Sequence, residues 1–228
     1  MKLYKQIIRS VLALCICMAI NLPGSVAQLA PYYNEIEAFK KMDSISFPPA
    51  RAILFVGSSS FRMWKDVKDY FPGYTIINRG FGGSYLTDVI RYERDIIFPY
   101  KPKQVVIYAG ENDIAGDSSV TGKIVFERFL KLYWDIKKNL GNAPILFVSL
   151  KPSPSRWHMR DRMMEGNKLI KNYLHRKNKR NDMFIDVWEP MLGGDGRPKK
   201  DIFLEDDLHM NAKGYAIWQK QIQPYLIK

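Results

Sequence analysis

Five short apolar runs, at residues 52–56, 74–77, 104–109, 144–150 and 183–187, constrain this chain more than any other feature. Each is too short for an ordinary helix and several are rich in Val and Ile, so they read as strands buried on both faces. Between them lie stretches of helical periodicity, clearest at Val125, Phe129, Leu132, Ile136 and Leu140, which recur every three or four residues along one face. Strands alternating with helices specify an α/β fold whose parallel sheet is covered on both sides. A segment at 34–42 reads as a helical N-terminal extension, and a last helix is expected over 212–226.

The first 27 residues stand apart. Lys2, Lys5 and Arg9 precede an apolar run at 11–20 and the small-residue sequence Ser25-Val26-Ala27, the pattern of a secretory signal peptide cleaved after Ala27. The apolar run is about half of a ~20-residue membrane span, which disfavours a retained anchor. The expected mature protein is therefore one domain, 28–228, exported to the periplasm or beyond, with no stable membrane insertion. Both cysteines, Cys15 and Cys17, fall in the leader, so the mature chain has no disulfide, thiol nucleophile or cysteine metal site. The formal charge of +12 includes the three basic leader residues, and the remainder is dispersed. Its densest cluster, 156–180, carries Met163, Ile170 and Leu174 at helical spacing, which reads as a solvated helix face; no nucleic-acid partner is expected.

In open parallel sheets, ligands bind beyond the carboxyl ends of the strands. There the chain places Gly57-Ser58-Ser59-Ser60, then the glycine-rich Asn78-Arg79-Gly80-Phe81-Gly82-Gly83-Ser84, then Gly110-Glu111-Asn112-Asp113. A fourth polar block, Glu205-Asp206-Asp207-Leu208-His209-Met210-Asn211, precedes the last helix and holds one of only three histidines. A carboxylate three residues before an imidazole suits a base and its orienting acid. Residues i and i+3 of a tight turn share a side, so Asp206 reaches His209 more easily than Asp207 does. Each of the three serines offers a hydroxyl that such a base could activate. Standing alone they would read as turn or helix-capping residues. The Gly83 N–H and the Asn112 amide, aimed at one point, would make an oxyanion hole. Singly they would read as a positive-φ turn and a loop hydrogen bond.

Rival motifs fail. A nucleophile elbow needs glycine two residues after the serine, where Ser59 has Phe61. Tyr85 occupies the place of the third glycine of a dinucleotide fingerprint, and no phosphate loop is present. His158 and His175 lie in the basic segment with no partner suggesting a metal site, and read as surface residues.

The four blocks FVGSSSFRMW, INRGFGGSY, YAGENDIAGD and DDLHMNAKGY, spanning 55–215, resemble those of the SGNH/GDSL hydrolase family. That resemblance implies a flavodoxin-like three-layer α/β/α sandwich on a five-stranded parallel sheet, hydrolysing esters or thioesters without metal or organic cofactor. Carried over residue by residue, it makes Ser59 the nucleophile and His209 the base with Asp206 as its partner. Gly83 and Asn112 complete an oxyanion hole with the Ser59 N–H. Two positions depart from the family pattern. Ser58 stands where an Asp is usual, which keeps Ser58 and Ser60 as alternative nucleophiles, and Ser84 stands where Asp or Asn is common. The expected substrate is a short-chain, acetyl-type ester on a carbohydrate, with Trp64 and Trp157 near the crevice and the run 151–156 as one wall. The alternatives are a lysophospholipase or thioesterase, and an inactive carbohydrate-binding module of the same fold.

Overall fold

The computed structural model describes residues 30–141, 143–176 and 181–228, so the expected signal segment lies outside the described residues. Strands β1 (Ile53–Gly57), β2 (Ile76–Gly80), β3 (Gln104–Tyr108), β4 (Ile145–Val148) and β5 (Met183–Ile185) form one sheet in the order β2-β1-β3-β4-β5. Every pairing is parallel. Among the described residues the helices are α1 (Tyr33–Ile45), α2 (Ser59–Arg62), α3 (Val67–Tyr70), α4 (Leu86–Ile96), α5 (Glu111–Gly116), α6 (Gly122–Leu140), α7 (Arg160–Arg176) and α8 (Ala212–Ile222).

The period-two geometry of a strand sends its apolar residues to opposite faces, and two cores result. Leu54, Val56, Val105, Ile107, Ile145 and Phe147 pack with residues of α1, α4, α6 and α7. Ile53, Phe55, Val106, Tyr108, Leu146 and Val148 pack with residues of α2, α3 and α8. The result is the flavodoxin-like three-layer sandwich expected from the sequence. Helix α7 buries Met163, Ile170 and Leu174, the residues that marked its inner face. Helix α6 begins at the cap Thr121, whose side chain accepts from the Ile124 N–H, as a threonine flanking a periodic run does.

Strand β2 departs from expectation. Hydropathy ended it at residue 77, but it continues through Asn78 and Arg79 to Gly80, in register with β1 at Gly57. Those polar residues are matched inside the fold. The Asn78 amide donates to the carbonyls of Phe61 and Trp64. Arg79 is buried against Asp43 at 2.5 Å and Tyr100 at 2.7 Å. Paired burial of this kind leaves no trace in a hydropathy pattern.

Chain order reverses between β1, which leads outward to β2, and β3, which opens the other half of the sheet. The crevice at such a reversal is where open α/β sheets hold ligands. Helix α1 reaches this end of the sheet, where Glu35 accepts from the Gly82 N–H at 3.0 Å and pairs with Arg62 at 2.9 Å. Among the described residues no helix is long and apolar enough to cross a membrane.

Candidate active site

Gly57 closes β1 with φ +144°, and a Cβ there would lie 1.9 Å from the Tyr108 carbonyl oxygen. Only glycine fits so close to the neighbouring strand. The turn that follows presents three serines differently. Ser58 and Ser60 are buried, whereas Ser59, the first residue of α2, is half-exposed. The Ser58 N–H donates to the Tyr108 carbonyl at 2.9 Å. Ser58 sits at the helix N-cap without a side-chain capping bond. Ser59 Oγ lies 3.0 Å from His209 Nε2. The structure thus separates the three serines that the sequence left together.

His209 comes from a turn built by its own residues. The Leu204 N–H donates to the His209 carbonyl at 2.7 Å and the Asp207 N–H to the Leu204 carbonyl at 3.0 Å. Asp206 Oδ1 accepts from the N–H groups of Leu208 and His209 at 3.0 and 2.9 Å, the local bonding for which aspartate suits turns. Its second oxygen lies 2.5 Å from His209 Nδ1. Asp207 takes the left-handed conformation, φ +54°, a region where Asp is enriched; its place in the turn is conformational, and Asp206 alone holds the ring. Asn211 caps α8 and donates to the carbonyls of Asp201 and Phe203, fixing the far side of the turn. Partial burial acts to raise the Asp206 carboxyl, but the His209 ring and the two backbone N–H groups outweigh it and hold it down at about 2. An ionised Asp206 places the imidazole proton on Nδ1 and leaves Nε2 free to accept from Ser59.

The remaining expected residues lie beside this pair. Asn112, on α5 just beyond β3, donates Nδ2 to the Ser84 carbonyl at 3.2 Å. A Cβ built on Gly83 would stand 3.8 Å from that same nitrogen. Of Gly80, Gly82 and Gly83, only Gly82 has a positive φ. Among the described residues neither the Ser59 nor the Gly83 N–H donates to a protein acceptor, so both are available to a ligand. Asp113, fully buried, accepts from the Leu86 N–H and pairs with Arg128, joining the glycine loop to α5. Ser84 Oγ bonds the Gly57 carbonyl at 3.2 Å, so the second departure from the family pattern ties the glycine loop to the end of β1.

Sequence reasoning missed what lies beneath. Glu111 is 3 % exposed and accepts from Lys151 Nζ at 2.8 Å, Arg156 Nη1 at 2.8 Å and the Tyr108 hydroxyl. Burial acts to raise its carboxyl, but the two cations hold it below the ordinary carboxylate range. The available signal was two charged residues, Glu111 and Lys151, directly after buried apolar strands. Trp64 is fully buried in the core and cannot meet a ligand, whereas Trp157 is half-buried. Trp157 lines a cleft of about 610 Å³ with Pro154, Ser155, Asp195, Arg197 and Asp207. That cleft shares Asp207 of the Asp206–His209 turn but does not include Ser59 or His209. His158 and His175 are exposed. Among the described residues no cluster of His, Cys, Asp and Glu could hold a metal ion.

Of the three expected oxyanion donors, only the Asn112 amide can be removed by substitution. Asn112→Ala is expected to fold normally and to lose about 10²- to 10³-fold in kcat on an ester substrate. A steady-state assay beside a thermal melt checks this, and full activity would dismiss the amide as an oxyanion donor.

The profile of the GDSL-like lipase/acylhydrolase family matches residues 43–217. No curated protein matches the chain. Among solved structures, it is similar to a GDSL-like lipase from Bacteroides thetaiotaomicron, with 20 % identity and a TM-score of 0.69 over 83 % of this chain and 95 % of that one. It is also similar to the lipase/acylhydrolase from Enterococcus faecalis, with 19 % identity and a TM-score of 0.60 over 78 % and 97 %. A catalytic mutant of an acetylxylan esterase from Geobacillus stearothermophilus shares 15 % identity and a TM-score of 0.61 over 78 % and 94 %. At these identities the likeness is one of fold.

Proposed function

The chain belongs to the GDSL-like lipase/acylhydrolase family, and from that premise we propose that it is an exported serine esterase that removes short acyl groups, acetyl above all, from a carbohydrate. The observation that carries the serine mechanism is the continuous run Ser59 Oγ, His209 Nε2, His209 Nδ1, Asp206 Oδ2, with contacts of 3.0 and 2.5 Å. Ser59 attacks the ester carbonyl as His209 takes its proton, and Asp206 stabilises the imidazolium. The negative charge that develops on the carbonyl oxygen meets the N–H groups of Ser59 and Gly83 and the Asn112 amide. His209 then protonates the departing alcohol, which leaves an acyl group on Ser59. In the second half-reaction His209 activates water, and the acid and free serine are regenerated. Neither half needs a metal or an organic cofactor.

The carbohydrate reading is supported by the cleft beside the catalytic turn. Its lining is mixed, with Trp157 among Asp195, Arg197, Lys199 and Lys200, and polar groups around one aromatic side chain suit a hydroxyl-rich alcohol better than a lipid tail. The acetylxylan esterase likeness agrees with it. Export rests on the leader sequence at 1–27.

A panel of p-nitrophenyl esters and acetylated xylo-oligosaccharides tests the substrate. The kcat/KM value is expected to fall about tenfold or more between acetyl and longer acyl chains, since even one excess methylene in a closed pocket costs ~1–3 kcal/mol. Acetate release from the oligosaccharides is expected as well. Rates that rise with chain length would transfer the assignment to lipid or thioester substrates.

A further inference from the structure

Glu111, Lys151 and Arg156 take no part in the reaction steps above, yet they occupy the interior directly behind it. Lys151 is 1 % exposed and bonds both Glu111 oxygens, at 3.1 and 2.8 Å. A buried ionic cluster of this kind is weak evidence for stability, because apolar residues of the same volume often serve as well or better. Its connections suggest another use. Tyr108, whose hydroxyl bonds Glu111, also accepts at its carbonyl from the N–H of Ser58, next to the nucleophile, at 2.9 Å. Glu111 itself precedes the oxyanion residue Asn112. Arg156 follows Ser155, whose N–H and hydroxyl both donate to the Asp207 carbonyl, at 3.1 and 2.9 Å, and Asp207 adjoins Asp206.

We propose that Glu111 is a positioning residue, a buried carboxylate that holds the serine turn, the oxyanion helix and the acid–base turn in one register through Tyr108, Lys151 and Arg156. It touches no reacting atom. The Tyr108 link ends beside Ser59, the Glu111 backbone runs directly into Asn112, and the Arg156 link ends beside Asp206, while Lys151 holds the carboxylate between them. Asn112 makes a single side-chain bond, of 3.2 Å, so its aim depends on the backbone that Glu111 anchors. Misplacement on the order of 1 Å at a reacting centre can cost about 10²-fold in rate. Weakening this hub should therefore lower turnover without weakening substrate binding.

This inference rests on the serine-esterase reading for its kinetic test but not for its spectroscopic one. Arg156, 17 % exposed in its side chain, is the safer site to alter, and Glu111→Gln removes the charge at constant shape. In Arg156→Ala, kcat per serine titrated with a fluorophosphonate is expected to fall about tenfold or more with KM within about twofold. Arg156→Lys should recover part of the loss, and Glu111→Gln, where it folds, should lose about 10²-fold. Titrating the serine removes any deficit of folded enzyme, so a purely structural role would leave the normalised kcat unchanged. Independently, the downfield proton NMR signal of His209 Nδ1 is expected to shift or broaden in Arg156→Ala. A normalised kcat within twofold of wild type in the folded variants overturns the proposal, as does an unmoved His209 signal. If the wild type hydrolyses no ester, the esterase reading fails on its own and the NMR comparison still decides the positioning role.

Discussion

Ser59→Ala is expected to lower kcat on a chromogenic acetyl ester by about 10⁴-fold or more, the loss that follows removal of the nucleophile from a serine triad. The fold should be unaffected. Ser59 is half-exposed, and among the described residues its hydroxyl bonds His209 Nε2 alone, so truncation strands no buried polar atom. Its neighbours are the controls. Ser58 and Ser60 are 3 % and 2 % exposed, and neither hydroxyl is within reach of the imidazole. Ser58→Ala should stay near wild-type rates. Ser60→Ala removes a buried hydroxyl that does not bond the imidazole and should show a modest decline at most. Steady-state kinetics on the three variants decide between them. Retained activity in Ser59→Ala with loss in Ser58→Ala or Ser60→Ala would assign the nucleophile to another serine.

The second large effect separates two adjacent aspartates. Asp206→Asn is expected to drop kcat by about 10⁴-fold, because an amide facing Nδ1 selects the wrong tautomer while keeping the shape of the turn. Asp207→Asn is expected to change little. Asparagine tolerates the φ of +54° at that position, and the Asp207 carbonyl, which Ser155 uses, is retained. The pH behaviour of Asp206 has a definite sign. Its carboxyl is lowered from an ordinary 3.8 to about 2, so the charged form favours the folded turn above about pH 4, and that contribution is lost as pH falls towards 2. Loss of activity on acidification above about pH 4 is therefore not caused by protonation of Asp206. Equal losses in both variants would show that the turn as a whole, and not one carboxylate, supports His209.

The sheet was legible because its information is local. The runs beginning at 104 and 183 start where β3 and β5 start, and of the periodic residues of α6, Val125, Phe129, Leu132 and Ile136 are buried while Leu140 is half-buried at its end. The pairing of Asp206 with His209 was legible for the same reason, since the two share one turn. Ser59 could be matched to them only through the resemblance, because 150 residues separate it from His209. What stayed hidden was polar burial paid back by distant partners. Arg79 meets Asp43 and Tyr100 across 36 and 21 residues, and Glu111 meets Lys151 and Arg156 across 40 and 45. A charged residue in sequence reads as surface, and only the tertiary partner reverses that reading. Trp64 misled in the opposite direction, since its place beside the serine turn suggested a sugar platform while its ring packs against Tyr215 at 4.8 Å.

The central claim is a covalent acyl intermediate on Ser59. Wild-type protein mixed with p-nitrophenyl acetate, quenched in acid during the burst and digested for mass spectrometry, tests it most directly. One acetyl group per chain, carried by the peptide containing Ser59, localised to that residue by fragmentation and absent from Ser59→Ala, is the predicted result. Turnover of the ester with no covalent adduct, or an adduct localised to Ser58, Ser60 or a residue elsewhere, would contradict it.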